Sequence, residues 1–316
     1  MKSILFIGYS NLVKSRILPI LVKAGFDAVS IAKYVGQEWD EDYKKCGLPV
    51  TCYDTYEDGL ANFQGDLVYI STVNSAHAEY ARMSLEKGLN TIVDKPATLS
   101  LQDAEDLVRL AKAKNVFLGE STVYLMHPQL STIKDIYVSN SDEPKLLTVH
   151  FTMPPFSPNN FRYQKSLGGG AIMDTAPYAV SIGRYFFGCK PDSVTCRISE
   201  QTKDGLDIEY SLLMEYPGGK TMIGHFGFNT EYINQVHLMG NRTNVLVNRI
   251  FTIPDNMEND LLVNHLNQSS HVKTPTGNNF ELYLKDVINV LAIGNYDKAY
   301  QDLLWDAEVK NMIIHN

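Results

Sequence analysis

Cysteine, clustered positive charge and long apolar runs are all scarce in this sequence. Its 316 residues include only 4 cysteines, without paired metal-binding spacing, and its 8 histidines show no ligand spacing with cysteine or acid. We therefore predict no metal site. Because a chain of this length does not depend on disulfides, we interpret the cysteines as reduced thiols of a cytoplasmic protein.

Charge and hydropathy argue against a nucleic-acid-binding protein and against a membrane protein. The net charge is −8 and the lysines are scattered, which argues against nucleic acid as the main partner. No segment approaches the about 20 apolar residues that a membrane helix needs. The apolar start of the chain is too short for a signal peptide and favours a buried first strand. We expect neither a nucleic-acid-binding nor a membrane protein.

From residue 3 to about 121, short apolar runs alternate with helix-like segments such as Leu101–Lys114. Ser100 is a signal for the start of that helix, and Gly88 is a signal for the end of the helix before it. Continuous apolar runs are typical of strands buried on both faces. The alternation predicts an α/β Rossmann domain with a doubly wound parallel sheet over residues 1–121. The apolar runs are Ile4–Gly8, Ala28–Ala32, Leu67–Ser71, Asn90–Val93 and Val116–Leu118.

After about residue 145 the apolar residues alternate with a period of two. Tyr216–Gly219 separates two such segments as a tight turn. Helical spacing returns in Phe280–Ile293 and Ala299–Ile313. The pattern predicts a second, α+β domain over residues 122–316, built on a large open, mainly antiparallel sheet.

The first strand runs into Gly8–Val13 and then into a predicted helix, Leu12–Lys23. A dinucleotide fingerprint has three glycines, which permit a tight turn and close approach of the pyrophosphate to the helix N-terminus. Here only Gly8 is present, because Ser10 and Val13 occupy the other two positions. An ordinary strand-to-helix turn fits the letters as well, but the place at the first βα junction favours a dinucleotide. Ser10 offers a hydroxyl to a phosphate.

At the end of the second strand, a fold that prefers NAD places an acidic residue against the ribose 2′-hydroxyl. Lys33 stands there instead. A lysine that pairs with a 2′-phosphate favours NADP(H), with NAD(H) still possible. A solvated lysine in a loop is an equal alternative.

Three further motifs follow in order. Thr72–Asn74 with His77 resembles T-P-N-x-x-H, Asp94–Pro96 resembles E-K-P, and Gly168–Tyr178 matches GGG-x-x-x-D-x-x-x-[HY]. With these motifs the chain resembles, over nearly its whole length, the glucose-fructose oxidoreductase/inositol dehydrogenase/rhizopine-catabolism (Gfo/Idh/MocA) family. It is most similar to the branch with tyrosine at the last motif position, which includes dimeric dihydrodiol dehydrogenases and some nucleotide-sugar ketoreductases.

The resemblance implies a role for each matching residue. Lys95, Tyr178 and Asp174 would be catalytic, and Asp174 would hold a substrate hydroxyl. The alternative for Asp174 is a carboxylate that caps the start of its helix. For Arg162, substrate binding and loop anchoring both remain open, and the simplest role of His127 is capping or packing. The implied substrate contacts are Lys95, Tyr124, Arg162, Asp174 and Tyr178, and the implied cofactor contacts are Gly8, Ser10, Asn11, Leu12, Lys33, Ser71, Thr72, Asn74, His77, Asp94 and Lys95.

The chemistry of the pair is consistent without the resemblance. Hydride transfer from a carbinol requires a group that takes the hydroxyl proton, and an unperturbed tyrosine keeps its own until about pH 10. An ammonium such as that of Lys95 within hydrogen-bond reach favours the phenolate of Tyr178. We therefore expect an NAD(P)-dependent oxidoreductase that acts on a sugar, nucleotide sugar or related polyol.

Two expectations remain to be separated. The incomplete Gly8–Val13 fingerprint suggests, as an alternative, a non-catalytic dinucleotide-binding sensor or regulatory protein of the same fold. For either one, the resemblance implies a homodimer or homotetramer through the open sheet.

Overall fold

The computed structural model describes residues 2–315, and the chain divides into two compact units. The first unit reaches to Ser121 and includes Phe280–Ala307, and the second contains Thr122–Asn279 and the segment from Glu308 onward. The expected domains were 1–121 and 122–316, which place residues 280–307 in the second domain, whereas the structure groups them with the first unit. The segment packs with the first unit because Tyr300, Leu303 and Ala307 belong to the apolar core of that unit.

Fourteen strands and eight α-helices make up the two units in the part of the chain that the structure describes. The strands are β1 Ser3–Ile7, β2 Ala28–Ala32, β3 Val50–Tyr53, β4 Leu67–Ile70, β5 Asn90–Val93, β6 Leu118–Glu120, β7 Leu146–Thr152, β8 Ser193–Gln201, β9 Asp207–Tyr216, β10 Lys220–Gly227, β11 Ile233–Met239, β12 Thr243–Asn248, β13 Asp260–His265 and β14 Gln268–Lys273. The helices are α1 Leu21–Ala24, α2 Tyr56–Asn62, α3 His77–Glu86, α4 Leu101–Lys114, α5 Pro128–Ser139, α6 Ala171–Phe187, α7 Asn279–Ile293 and α8 Asp297–His315.

The sheet of the first unit has six parallel strands in the order β3-β2-β1-β4-β5-β6. This is the strand order of a Rossmann fold, so the prediction is confirmed. The order reverses between β1 and β4, and in such sheets ligands bind where the carboxyl ends of these strands diverge. The predicted helix ends are also found: Ser100 accepts from the Asp103 amide at 3.1 Å, and Gly88 follows α3 with φ +77°.

The first helix differs from the expected continuous helix over Leu12–Lys23. A π-helical turn, Val13–Ile17, is followed by a 3₁₀ turn, Leu18–Ile20, and only then by α1. The cause is Pro19, which has no N–H to donate and crowds the carbonyl of the preceding turn.

The second unit is built on eight strands in the order β14-β13-β12-β11-β7-β10-β9-β8. Only the β7–β10 pair is parallel, so the prediction of an open, mainly antiparallel sheet is confirmed. Helix α6 packs on one face against β9, β10 and β7. Tyr210 and Phe226 stack on that face at 5.2 Å, and the Tyr210 hydroxyl lies 2.9 Å from Thr175 of α6.

A carboxylate from the sheet caps the start of α6. Asp207 accepts a hydrogen bond from the Ile172 amide at 2.6 Å. The capping residue, Gly170, has φ +110°, and a Cβ there would lie 2.7 Å from an Asp207 oxygen. Asp207 therefore caps the start of α6 from the neighbouring sheet.

Replacing Asp207 tests this cap. Asp207→Ala removes the acceptor for the first amides of α6 and should lower the free energy of unfolding by about 1–2 kcal/mol. Asp207→Asn keeps an acceptor oxygen and should cost less. Urea denaturation followed by circular dichroism measures both, and equal losses would contradict a capping role.

Candidate active site

Gly8 ends β1 at the switch point of the parallel sheet. Its amide donates to the Ala32 carbonyl at 2.9 Å, and its φ is +112°. A Cβ at this position would lie 2.1 Å from the Ser71 carbonyl oxygen. Only glycine fits so close an approach of two backbone segments, as the retained part of a dinucleotide fingerprint requires.

The hydroxyl of Ser10 is already used within the loop. Its oxygen accepts from the Val13 amide at 3.1 Å and lies 2.9 Å from the Ser71 hydroxyl. Because Ser71 donates its own proton to Asp94 at 2.6 Å, Ser10 must be the donor in the pair. Ser10 therefore stabilises the loop, and a phosphate here would rely on backbone amides from Asn11, which is exposed, and Leu12, which is half-buried.

Asp94 follows β5 and gathers three hydroxyl donors from the same edge of the sheet. They are Tyr69 at 2.6 Å, Ser71 at 2.6 Å and Ser121 at 2.9 Å. Burial, followed by the charge of Asp94, raises the pKa of Tyr69 well above its ordinary value, so the phenol remains a donor. We call Tyr69, Ser71, Asp94 and Ser121 the Asp94 cluster. Lys95, half-buried, is the next residue at this edge.

His77 fixes the backbone on both sides of this edge. Its Nδ1 lies 2.8 Å from the Pro96 carbonyl, and its Nε2 lies 3.3 Å from the Thr72 carbonyl. Burial lowers the pKa of His77. Asn74, another predicted contact, is buried in the same turn. The T-x-N-x-x-H segment thus joins the loop after β4 to the Lys95–Pro96 segment.

Lys33 lies at the end of β2, as predicted, but its ammonium has a protein partner. It pairs with Asp54 at 3.0 Å and lies 5.6 Å from the centre of the Trp39 ring. The Trp39 indole donates to Asp54 at 3.0 Å. The reading of Lys33 as a solvated lysine is therefore not what the structure shows, since only 10% of its side chain is exposed.

In the second unit, Tyr178 lies on α6 among three other aromatic rings. The ring centres of Phe151, Phe251 and Tyr124 are 4.9, 5.0 and 5.7 Å away. Tyr124 itself is only 1% exposed, and its hydroxyl bonds Ser181 at 2.7 Å. Tyr124 therefore packs against the Tyr178 ring, and its contact with a substrate stays a prediction.

Asp174 lies one turn before Tyr178, on an α6 that continues through Pro177. Residues four apart on a helix share a face. Arg162 donates to Asp174 at 2.8 Å, and its guanidinium lies 4.8 Å from the ring centres of both Phe156 and Phe161. Of the two roles considered for Arg162, the structure shows the anchoring contact.

Several residues that build these sites were missed by sequence reasoning. Asp54, Trp39, Asp207, Phe151 and Phe251 stand in no recognised motif. Only the adjacent ends of β2 and β3 could have indicated the Lys33–Asp54 pair, and that requires the strand order. His127 was anticipated more closely: it caps α5 by accepting from the Gln129 amide at 3.1 Å.

Comparison with known proteins identifies the class. Residues 2–121 match the oxidoreductase family with an NAD-binding Rossmann fold, and residues 143–245 match the Gfo/Idh/MocA C-terminal domain. Together the two matches cover more than half of the chain. The chain belongs to the Gfo/Idh/MocA oxidoreductase family.

The individual relatives share 30% or less of their aligned residues with this chain. A dTDP-3,4-didehydro-2,6-dideoxy-α-D-glucose 3-reductase of Saccharopolyspora spinosa is 30% identical over 60% of this chain and 57% of its own length. D-xylose 1-dehydrogenase (NADP⁺) 2 of Haloferax volcanii is 28% identical over 71% of this chain and 69% of that protein. A crystal structure of a 3-ketoreductase from Actinomadura kijaniata with NADP and TDP-benzene has a TM-score of 0.91, with 22% identity, and covers 99% of this chain and 97% of that one. This last likeness shows the fold.

The burial of His77 predicts a pH dependence of stability. Because its pKa is lowered in the folded state, the unfolded state binds the extra proton, so stability is lost as pH falls through the unfolded pKa of about 6.5. His77→Asn keeps a donor but cannot titrate, so its free energy of unfolding should fall less steeply between about pH 7.5 and 5.5.

Denaturant unfolding at several pH values measures this slope. The matched control is His271→Asn, since the side chain of His271 is 66% exposed. An unchanged slope in His77→Asn would contradict the prediction.

Proposed function

We propose that this chain is an oxidoreductase that uses NADP(H), with NAD(H) as the weaker alternative. The substrate would be a sugar, nucleotide sugar or related polyol with a reacting carbinol or carbonyl carbon. The observation that carries the proposal is Gly8 packed against Ser71 beside the Asp94 cluster, at the switch point of the sheet. The names of the relatives, reductases and a dehydrogenase of sugars, support the substrate class.

The residues present fit a dinucleotide. Gly8 lets the loop after β1 pass close to the Ser71 backbone, and the Asn11 and Leu12 amides would hold the pyrophosphate. Ser71, Thr72, Asn74, His77 and Asp94 would shape the nicotinamide end, and Lys33 would receive a 2′-phosphate. When bound, the nicotinamide exchanges a hydride with the substrate carbon.

The proton that accompanies this exchange would move through Tyr178. Its phenol oxygen would accept the carbinol proton in oxidation and donate it to the forming alkoxide in reduction. Lys95, a cation, would assist by favouring the phenolate. Asp174 would hold a neighbouring hydroxyl: a carboxylate has about four lone-pair positions, so the bond from Arg162 is compatible with that role.

A mutant pair tests the mechanism. Tyr178→Phe removes the proton-transferring oxygen and should lower kcat by about 10²–10⁴-fold. Lys95→Ala should also lower kcat, and Tyr178→Phe should keep binding the cofactor. The assay follows nicotinamide absorbance over a panel of sugars and nucleotide sugars in both directions.

Tyr185→Phe is the control for Tyr178→Phe, because this tyrosine lies on the same helix with its ring against Phe186 at 5.0 Å. Full activity in Tyr178→Phe or Lys95→Ala would end the mechanistic proposal. Cofactor binding by the wild type with no turnover of any substrate would favour the non-catalytic sensor instead.

For assembly and location, the proposal remains a cytoplasmic homodimer or homotetramer. The face of the second sheet opposite α6 exposes Leu213, Ile223 and Ile233 by 39%, 47% and 40%. Leu213 and Ile223 are register partners on β9 and β10, so they form one patch. Such an apolar patch favours association. All four cysteines are free, and no helix among residues 2–315 is long and apolar enough to cross a bilayer.

Introducing charge on that face tests the assembly. Ile223→Glu should shift the protein toward monomer, measured by sedimentation velocity. Val138→Glu is the control, since Val138 is 75% exposed and lies on helix α5 rather than on a strand of the sheet. An assembly unchanged by Ile223→Glu would place the interface elsewhere.

A further inference from the structure

The ends of β2 and β3 bring Lys33 and Asp54 together. Ala32 and Tyr53 are register partners in this parallel pair, and the Lys33 amide continues the ladder by donating to the Tyr53 carbonyl at 3.1 Å. Lys33 follows Ala32 at the end of β2, and Asp54 follows Tyr53 at the end of β3. Their side chains form the 3.0 Å ion pair.

This pair lies beside the Gly8 loop. The Gly8 amide bonds the carbonyl of Ala32, the residue before Lys33. Tyr9 and Trp39 pack at 5.2 Å, and Gln37 donates to the Tyr9 carbonyl at 2.9 Å. The segment that carries Trp39 thus fixes the surroundings of Lys33 next to the loop proposed to hold the pyrophosphate.

The two members of the pair differ in how firmly they are held. The side chain of Lys33 is 10% exposed and lies against the Trp39 ring, whereas that of Asp54 is 77% exposed. The Trp39 indole, followed by the Lys33 ammonium, lowers the pKa of Asp54, so its carboxylate is charged at neutral pH. Most of the Asp54 side chain is already in contact with solvent, whereas that of Lys33 is nearly buried.

We propose that Asp54 is an internal counter-ion that occupies Lys33 in place of the cofactor's 2′-phosphate, so that displacing it sets the choice between NADP(H) and NAD(H). The inference rests on the proposed function and deepens it. A phosphate makes stronger bonds to an ammonium than a single exposed carboxylate does, so it can displace Asp54, and breaking the ion pair lowers the affinity for NADP(H). NAD(H), with a 2′-hydroxyl, leaves the Lys33–Asp54 pair in place.

The test is a set of equilibrium titrations by calorimetry. NADPH and NADH are compared as ligands, and adenosine 2′,5′-bisphosphate and AMP serve as fragments without a nicotinamide. Asp54→Asn keeps an oxygen for the Trp39 indole but removes the charge. It should tighten NADPH and the bisphosphate by about 3- to 10-fold and leave NADH and AMP unchanged. Lys33→Met should weaken NADPH by about 10- to 100-fold.

The control is Asp42→Asn. Asp42 is also partly exposed, with 41% of its side chain accessible, and its lysine partner is Lys45. Asp42→Asn removes the same charge from the same part of the first unit. Because single exposed charges have small effects, the ratio of NADPH to NADH affinity should stay within about twofold of the wild-type ratio.

The outcomes separate the two proposals. An unchanged affinity ratio in Asp54→Asn, or an equal shift in Asp42→Asn, overturns the role of Asp54 while the proposed function stands. If the wild type binds neither dinucleotide, the proposed function falls and this inference falls with it. A change of ratio that disappears in the Lys33→Met background supports displacement at Lys33.

Discussion

The carboxylate of Asp94 is the interaction on which the binding edge of the first unit depends. Its donors come from the ends of β4 and β6, and Ser71 extends the network to Ser10 after β1. One carboxylate therefore joins the carboxyl ends of four parallel strands. Hydrogen bonds to a charged acceptor are stronger than neutral ones, and losing this acceptor would leave the hydroxyl of Tyr69, buried at 0% exposure, without its partner.

The same network explains how the loop after β1 forms without the usual three glycines. Ser10 replaces the second glycine and satisfies the Val13 amide while it donates to Ser71. The loop thus gains side-chain bonds that glycine cannot make. It still requires glycine at Gly8, where the Ser71 carbonyl leaves no space for a Cβ. The incomplete fingerprint is a different way of building the same turn and does not by itself indicate lost binding.

How much the sequence predicted depends on how local each signal is. Four of the five buried runs predicted for the first unit and the caps at Ser100 and Gly88 are local patterns, and the structure contains them, whereas the fifth run, Val116–Leu118, overlaps β6 only at Leu118. The interruption of the first helix at Pro19 is also local, but it was not predicted, because the apolar residues around Pro19 still have a helical period. The ion pairs of Lys33 with Asp54 and of Arg162 with Asp174 depend on which segments become neighbours, and periodicity carries no such information. For the same reason, chain order did not predict that residues 280–307 pack with the first unit.

The surroundings of Tyr178 give the second unit's part of the proposed chemistry a physical basis. The phenol ring is held by Phe151, Phe251 and Tyr124, and Tyr124 is itself bonded to Ser181. Fixing an aromatic side chain costs conformational entropy, and here that cost is met when the unit folds and not when substrate arrives. A proton-transferring oxygen on an immobilised ring needs little reorganisation during the reaction, which is the condition under which positioned groups are most effective. The aromatic packing around Tyr178, which no motif encodes, is therefore as much a part of the proposed site as the tyrosine itself.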